Sequence, residues 1–148
     1  ASVAMGGDDG HVVKVFRDAD AFDGPALILA YSHCIAHGYD LVHGMAQQKL
    51  AVQAGHWPLF RYRPGGGEMT QPFQLDSAEP SMPYAEFAAS EARFAMLQRS
   101  DPHRAAELLA LAEADARGRY AYYQQLAGVE RAAPGHAAPV TIADTEDD

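Results

Sequence analysis

The sequence predicts an α/β fold built on a parallel sheet. A strand-like opening is followed by a helical pattern and then by a continuously apolar run, which is the order of a βαβ unit. Helical periodicity then dominates the last third of the chain before the composition turns acidic. With 148 residues, of which 48% are hydrophobic and 21% charged, the chain has the composition of an ordinary globular protein with one core.

The first predicted strand is "ASVAM", Ala1 to Met5, and it ends at the Gly6-Gly7 pair. Asp8 or Asp9 then caps a helix that stops at Gly24-Pro25. Its apolar residues recur at helical spacing and are Val12, Val15, Phe16, Ala19 and Phe22.

The second predicted strand is "ALILAY", Ala26 to Tyr31, whose unbroken apolar character is typical of a strand buried on both faces of a parallel sheet. A central strand needs a neighbour on each side, and only one candidate precedes it. We therefore expect the remaining strands to lie outside this sequence or in another chain. The absence of an initiator Met, in a chain that opens inside a strand, supports the expectation of a longer polypeptide.

A second helix is predicted from Leu41 to Ala54, with Met45, Ala46, Leu50 and Ala54 on one side and Gly55 closing it. The period-two pattern "LFRYR", Leu59 to Arg63, and the later "FQLD" predict two short strands. The Gly-rich "PGGGEMTQP" between them leaves a hairpin and a long connection both open.

Helices are predicted from Ser81 to Leu126. Pro83 opens one that carries Phe87, Phe94 and Leu97, and Asp101-Pro102 opens a longer one. Residues 1–128 form the predicted ordered portion, and residues 129–148, which end in "ADTEDD", are a predicted disordered acidic tail.

Charge and composition exclude several classes of partner. The net charge is −9 and the 11 basic residues are scattered among 20 acidic ones, which disfavours nucleic acid. No apolar run approaches the roughly 20 residues that span a bilayer, and no signal peptide is visible. One cysteine excludes an internal disulfide, so the expected location is the cytoplasm.

That single cysteine, Cys34 in "YSHCIAHGYD", follows the carboxyl end of the second strand, where open α/β sheets bind ligands. A helix beginning near Ile35 would favour its thiolate form. Three interpretations remain open at this point: a buried structural cysteine, a nucleophile with His33, His37 or His43 as base, and a metal ligand completed from elsewhere.

Five segments of the sequence, taken in their order along the chain, point to a protein family. They are "ASVAMG", "GPALILAYSHCIAHG", "QQKLAVQAGHWPLFRYRP", "PFQLDS" and "ARFAMLQRSDP". Together they closely resemble the carboxyl-terminal part of the pyruvate:ferredoxin (flavodoxin) oxidoreductases, from Ala1 to about Gly128. The resemblance implies that residues 1–128 are the carboxyl-terminal portion of a thiamine-diphosphate-binding parallel-sheet domain.

The resemblance further implies an enzyme that oxidatively decarboxylates pyruvate with CoA to acetyl-CoA and CO₂. It implies thiamine diphosphate and Mg²⁺ as cofactors, and [4Fe–4S] clusters that pass electrons to ferredoxin or flavodoxin. By motif, Cys34 corresponds to the fourth ligand of the cluster nearest the thiamine, whose other three cysteines lie far upstream. A homodimer and contacts with upstream domains are implied for the full-length enzyme.

Several family features are absent from this sequence. It lacks a Gly-Asp-Gly followed by Asn-Thr-Gly-Gly-Gln, the remaining cluster cysteines and any CoA domain. We therefore expect the 148-residue chain alone to be inactive. Two alternatives are a self-contained cysteine hydrolase with Cys34 as nucleophile and a non-catalytic interaction or dimerisation module.

Overall fold

The structure, a computed structural model, describes residues 1–33, 35–64 and 71–130. These residues form a four-stranded mixed sheet in the order β2-β1-β3-β4, with helices packed against it. The strands are β1 (Ser2–Ala4), β2 (Leu29–Tyr31), β3 (Phe60–Tyr62) and β4 (Phe73–Leu75). The helices are α1 (Asp9–Asp20), α2 (Gly44–Gln53), α3 (Tyr84–Ala89), α4 (Ala92–Ser100) and α5 (Pro102–Ala127).

The predicted βαβ unit is present. β1 pairs in parallel with β2, with Ala4 opposite Tyr31, and α1 connects the two strands. Asp8 caps α1 as predicted, because its side chain accepts a hydrogen bond from the backbone N–H of His11 at 2.9 Å. All three residues of β1 are buried, so both faces of this central strand are covered.

The expectation that Ala26 to Tyr31 is buried on both faces is wrong for the described chain. Only Leu29–Tyr31 is a strand, and it lies at the edge of the sheet with Leu29 45% exposed. The physical reason is that the strand has one neighbour, β1, and the described residues supply no strand for its other side. The apolar run therefore has no layer to bury it.

The second half of the sheet is a hairpin. The sequence left a hairpin and a long connection both open, and the structure shows the hairpin. β3 and β4 pair antiparallel, and β3 also pairs antiparallel with β1, so among the described strands only the β1–β2 pair is parallel. Phe60 and Phe73 stack at 5.2 Å between ring centroids, and Tyr123 of α5 contacts both rings. The residues between 64 and 71 lie outside the described part.

The helical half of the chain differs from prediction at one point. The predicted helix from Pro83 is divided into α3 and α4, because Glu91 is extended and the Ser90 hydroxyl donates to the carbonyl of Phe87 at 2.6 Å. α2, α3 and α5 enclose the main core cluster, which consists of Ala51, Ala54, Tyr84, Phe87, Ala88 and Ala116. α5 ends at Ala127, close to the predicted limit of the ordered portion, and residues 131–148 of the predicted tail lie outside the described part.

Hydrogen bonds and ion pairs connect α1 to the β3–β4 hairpin. Arg61 donates to both carboxylate oxygens of Asp76, at 2.8 and 2.9 Å, and to Asp18 of α1 at 3.1 Å. Nε2 of the buried His11 lies 3.0 Å from the same Asp76 carboxylate. Burial by itself would raise the pKa of Asp76, but the hydrogen bonds from Arg61 and His11 outweigh it and hold that pKa below its ordinary value.

Candidate functional site

The carboxyl ends of β1 and β2 lie side by side because the two strands are parallel. The turn at Gly6-Gly7 follows β1, and Ser32-His33 follows β2. The backbone N–H of Gly7 donates to the carbonyl of Ala4 at 2.9 Å, so this turn is a tight connection that leads into the cap of α1. These residues form one edge of the candidate site, at the place where the sequence located Cys34.

Gln48 of α2 joins the two strand ends. Its Oε1 accepts a hydrogen bond from the backbone N–H of Gly6 at 3.2 Å, and its Nε2 lies 3.3 Å from Nδ1 of His33. Since the oxygen faces the Gly6 donor, the amide NH₂ donates to Nδ1, which places the proton of a neutral His33 ring on Nε2. Gln48 is 2% exposed, so this bridge is shielded from water.

Two glycines allow α2 to approach this closely. A Cβ at Gly6 would collide with the backbone carbonyl of Met45. A Cβ at Gly44, the first residue of α2, would lie 2.8 Å from Nδ1 of His33. The lack of side chains at these positions is therefore what lets Gln48 reach both strand ends.

The segment after residue 34 rests on the start of α4. Residues Ile35–His37 form a 3-10 turn, so the helix predicted to begin near Ile35 is only a single short turn. Gly38 follows with a φ of +74°, and a Cβ there would collide with Ala92. Asp40 caps a second 3-10 turn, Leu41–His43, by accepting from the N–H of Val42 at 3.0 Å.

Glu91 is a fully buried carboxylate at the start of α4. Nε of Arg93 donates to it at 2.6 Å, and Nε2 of Gln47 donates at 3.3 Å, so the charge is paired. Burial, assisted by the Glu91 charge, raises the pKa of Tyr31 at the end of β2 to about 12. Tyr31 is thus a neutral phenol at physiological pH, Glu91 is a compensated buried carboxylate, and His33 is an imidazole held by an amide.

Sequence reasoning missed Gln47, Gln48 and Glu91. The sequence placed Met45, Ala46, Leu50 and Ala54 on one side of α2. Ala54 is buried and Leu50 packs against the core cluster, but Met45 is 44% exposed and the two glutamines are buried. Hydrophobic periodicity assigns glutamine to solvent, so it could not identify this face. The available signal was helical spacing, since Gln47 and Gln48 precede Ala51 by four and three residues and therefore share a face of the helix with it.

The candidate residues from the sequence are only partly placed. Cys34 and the side chain of His37 lie outside the described residues, and His43 is exposed at the end of its 3-10 turn. His33 is fixed against Gln48 as described above. Within residues 1–33, 35–64 and 71–130, no cluster of three or more His, Cys, Asp or Glu side chains is arranged to hold a metal ion.

The arrangement defines the class of the chain first: it is an α/β segment with a mixed sheet, in which Gln48 links the carboxyl ends of the two parallel strands through Gly6 and His33. Sequence comparison then gives the family. The chain is 46% identical over 129 residues to the pyruvate-flavodoxin oxidoreductase of Rhodospirillum rubrum and 46% identical over 128 residues to that of a Nostoc species. It is 41% identical over 128 residues to the pyruvate:ferredoxin oxidoreductase of Moorella thermoacetica.

These alignments cover 86 to 87% of the chain but 11% of each relative. The chain therefore corresponds to a carboxyl-terminal segment of the pyruvate-flavodoxin (ferredoxin) oxidoreductases, as the sequence strings predicted. No protein-family model matches it. Among the helices that the structure describes, none combines the length and the apolar character needed to cross a bilayer.

Proposed function

We propose that the chain is the carboxyl-terminal part of an oxidoreductase that converts pyruvate and CoA to acetyl-CoA and CO₂. Electrons pass through [4Fe–4S] clusters to ferredoxin or flavodoxin. The observation that carries the proposal is the 46% identity to a protein named pyruvate-flavodoxin oxidoreductase, spread over 87% of this chain. On this proposal the enzyme works in the cytoplasm as a homodimer, and the 148-residue chain alone is inactive.

Within this proposal, Cys34 is one thiolate ligand of a [4Fe–4S] cluster. A cluster of this kind takes four cysteine thiolates, and this chain has one cysteine, so the other three come from the rest of the enzyme. The cluster supplies one-electron transfer. Thiamine diphosphate and Mg²⁺ bind elsewhere in the enzyme, since their motif is absent from this sequence.

The residues around Cys34 support a positioning role for this segment. His33 is held by Gln48, and the glycines at 6 and 44 allow that contact. The 3-10 turn after Cys34 is seated on the start of α4. Both flanks of residue 34 are thereby anchored to helices, which is what a ligand supplied from a neighbouring segment requires.

The test replaces Cys34 in the full-length enzyme with alanine and measures iron content, the paramagnetic spectrum of the reduced clusters and ferredoxin reduction. We expect iron to fall by about one cluster per subunit and electron transfer to ferredoxin to be lost. Ser32→Ala is the matched control, because the Ser32 hydroxyl is exposed and donates to the carbonyl of the neighbouring His33 at 3.3 Å.

An unchanged cluster spectrum in Cys34→Ala would remove Cys34 from the ligand set. The hydrolase alternative makes the opposite prediction: the 148-residue chain itself would hydrolyse ester or amide substrates, and iodoacetamide would abolish that activity. A chain that shows neither behaviour, yet associates with the rest of the enzyme, would fit the interaction-module alternative.

A further inference from the structure

The ring of His33 is held in one orientation just after β2. Its Nδ1 lies 3.3 Å from Nε2 of Gln48, and Oε1 of the same amide accepts a hydrogen bond from the backbone N–H of Gly6 at 3.2 Å. A flipped amide would turn its NH₂ group toward the Gly6 N–H, which is also a donor, so the contact with Gly6 decides which end of Gln48 meets the ring. The amide donates to Nδ1, and neutral His33 carries its proton on Nε2.

The Nε2–H group of His33 is turned away from α2. A Cβ at Gly44 would lie closest to Nδ1, Cε1 and Cγ of the ring, at 2.8, 2.9 and 3.0 Å, so that side of the ring faces the first residue of α2. Among the hydrogen bonds of the described residues, the ring takes part in one, through Nδ1. His33 is partly buried, and its Nε2–H is therefore a donor that is fixed in direction and open to a further acceptor.

Gln48 is suited to hold this tautomer. It is 2% exposed, so water does not compete for its hydrogen bonds, and an amide does not gain or lose a proton over the physiological range of pH. In this tautomer the lone pair of Nδ1 is occupied and Nε2 is protonated, so neither nitrogen is free to accept a proton from a substrate. The ring is thereby built as a hydrogen-bond donor and not as a general base.

The residue after His33 is Cys34, the ligand of a [4Fe–4S] cluster on the proposed function. The sulfur atoms of such a cluster accept hydrogen bonds, and donors directed at them raise the reduction potential because they stabilise the more negative, reduced state. A neutral N–H donor fits this role. The other neutral tautomer would present a lone pair from Nε2, which repels an electron-rich sulfur, so the hydrogen bond made by Gln48 decides the sign of the interaction.

We propose that His33 donates a hydrogen bond from Nε2–H to a sulfur atom of the cluster bound by Cys34, and that Gln48 is the positioning residue that fixes the donor tautomer. This inference rests on the proposed function and deepens it, because it assigns the tuning of the cluster to two residues of this segment. Reduction of the cluster by one electron involves no proton transfer from His33, whose N–H is retained in both oxidation states. Loss of either side chain should make the cluster harder to reduce.

The first experiment measures the reduction potential of the cluster in the full-length enzyme, by a redox titration followed by electron paramagnetic resonance. His33→Leu removes the donor, and we expect the equilibrium constant for one-electron reduction to fall about tenfold, which corresponds to a potential about 59 mV lower. Iron content should stay unchanged. His103→Leu, at a side chain that is 89% exposed on α5, is the matched control and should leave the potential unchanged.

The second experiment asks whether Gln48 acts through His33. Gln48→Leu should lower the potential, and the double variant with His33→Leu should have the potential of His33→Leu alone, because the two side chains belong to one hydrogen-bonded unit. Shifts that add in the double variant would mean that Gln48 acts independently, and would overturn its positioning role.

The third measurement needs no substitution, so it survives loss of the cluster from a variant. Pulsed electron paramagnetic resonance of the reduced wild-type enzyme, with nitrogen-15 in its histidines and in H₂O or D₂O, should detect a histidine nitrogen and an exchangeable proton coupled to the cluster. The absence of these couplings, or an unshifted potential in His33→Leu at normal iron content, would overturn this inference. A full-length enzyme without iron, or an unchanged cluster spectrum in Cys34→Ala, would instead overturn the proposed function.

Discussion

The contact of Asp76 with Arg61 and His11 gives a stability prediction that the structure makes quantitative. Asp76 accepts three hydrogen bonds, at 2.8, 2.9 and 3.0 Å, from these two side chains. The side chains of Asp76 and Arg61 are only 17% and 19% exposed. Replacing Asp76 with asparagine removes the charge and one acceptor while nearly preserving the shape of the side chain.

Removing one partner of a buried ion pair costs about 3–5 kcal/mol, because the remaining charge is left without compensation. Partial exposure and the second acceptor, Asp18, reduce this cost, so we expect Asp76→Asn to lower the free energy of unfolding by about 2–3 kcal/mol. Asp18→Asn is the matched control on the same arginine. Asp18 is 50% exposed, and the expected loss is about 0–1 kcal/mol.

The pKa of Asp76 adds a pH dependence with a defined sign. Its pKa is lower in the folded than in the unfolded state, so the unfolded state binds more protons between the two values. The contribution is present above the unfolded pKa of about 3.9 and is lost as the pH falls through the lower folded value. Asp76→Asn should therefore lose part of the acid sensitivity of the wild type.

Urea unfolding of the 148-residue chain, followed by far-ultraviolet circular dichroism at pH 7 and at several pH values below 5, measures both effects. The m-value must stay constant for the comparison to hold. If Asp76→Asn and Asp18→Asn lowered the free energy of unfolding equally, the reasoning would be refuted, because burial of the Asp76–Arg61 pair would then contribute nothing to stability.

Three further predictions concern backbone packing and one titration. Gly118→Ala should raise stability by about 0.5–1 kcal/mol in thermal unfolding, since its Cβ would meet no atom within 4 Å. Gly6→Ala should lower stability by about 1–3 kcal/mol through its collision with the Met45 carbonyl, whereas Gly10→Ala, whose Cβ would meet only Asp8 at 3.4 Å, should not. Ultraviolet titration should find Tyr31 ionising near pH 12. Because this pKa is raised in the folded state, the stability that the neutral phenol contributes is lost as the pH rises from about 10 through 12. Ionisation of Tyr31 near pH 10 would contradict the prediction.

The sequence predicted the order of elements well where local signals are strong. Gly6-Gly7 and the Asp8 cap act within a few residues, and the βαβ unit follows their prediction, although α1 ends at Asp20, ahead of the predicted stop at Gly24-Pro25. The burial of β2 could not be predicted in the same way. Burial depends on neighbours contributed by other parts of a polypeptide, and an apolar run indicates only that such neighbours are needed.

The sequence proposed a location for the candidate site but not its composition. The rule that parallel strands bind ligands at their carboxyl ends points to the edge formed by β1 and β2, which the structure shows to be parallel neighbours. Gln48 and Glu91 escaped prediction because each is buried by a specific partner, His33 for one and Arg93 for the other. Pairings across 15 residues, or within a break between two helices, leave no periodic pattern in the sequence.

The two ends of β2 are stabilised by different means, and this difference has a functional consequence. At its carboxyl end the chain up to His33 is fixed within this segment, by Gln48 and by packing of Tyr31 on Trp57 at 5.3 Å between ring centroids. At its amino end Leu27 is 73% exposed in the described structure. Changes at Leu27 should therefore leave the contacts at the carboxyl end of β2 intact, whereas Gln48→Ala should release His33 and, on the proposal for Cys34, alter the cluster spectrum.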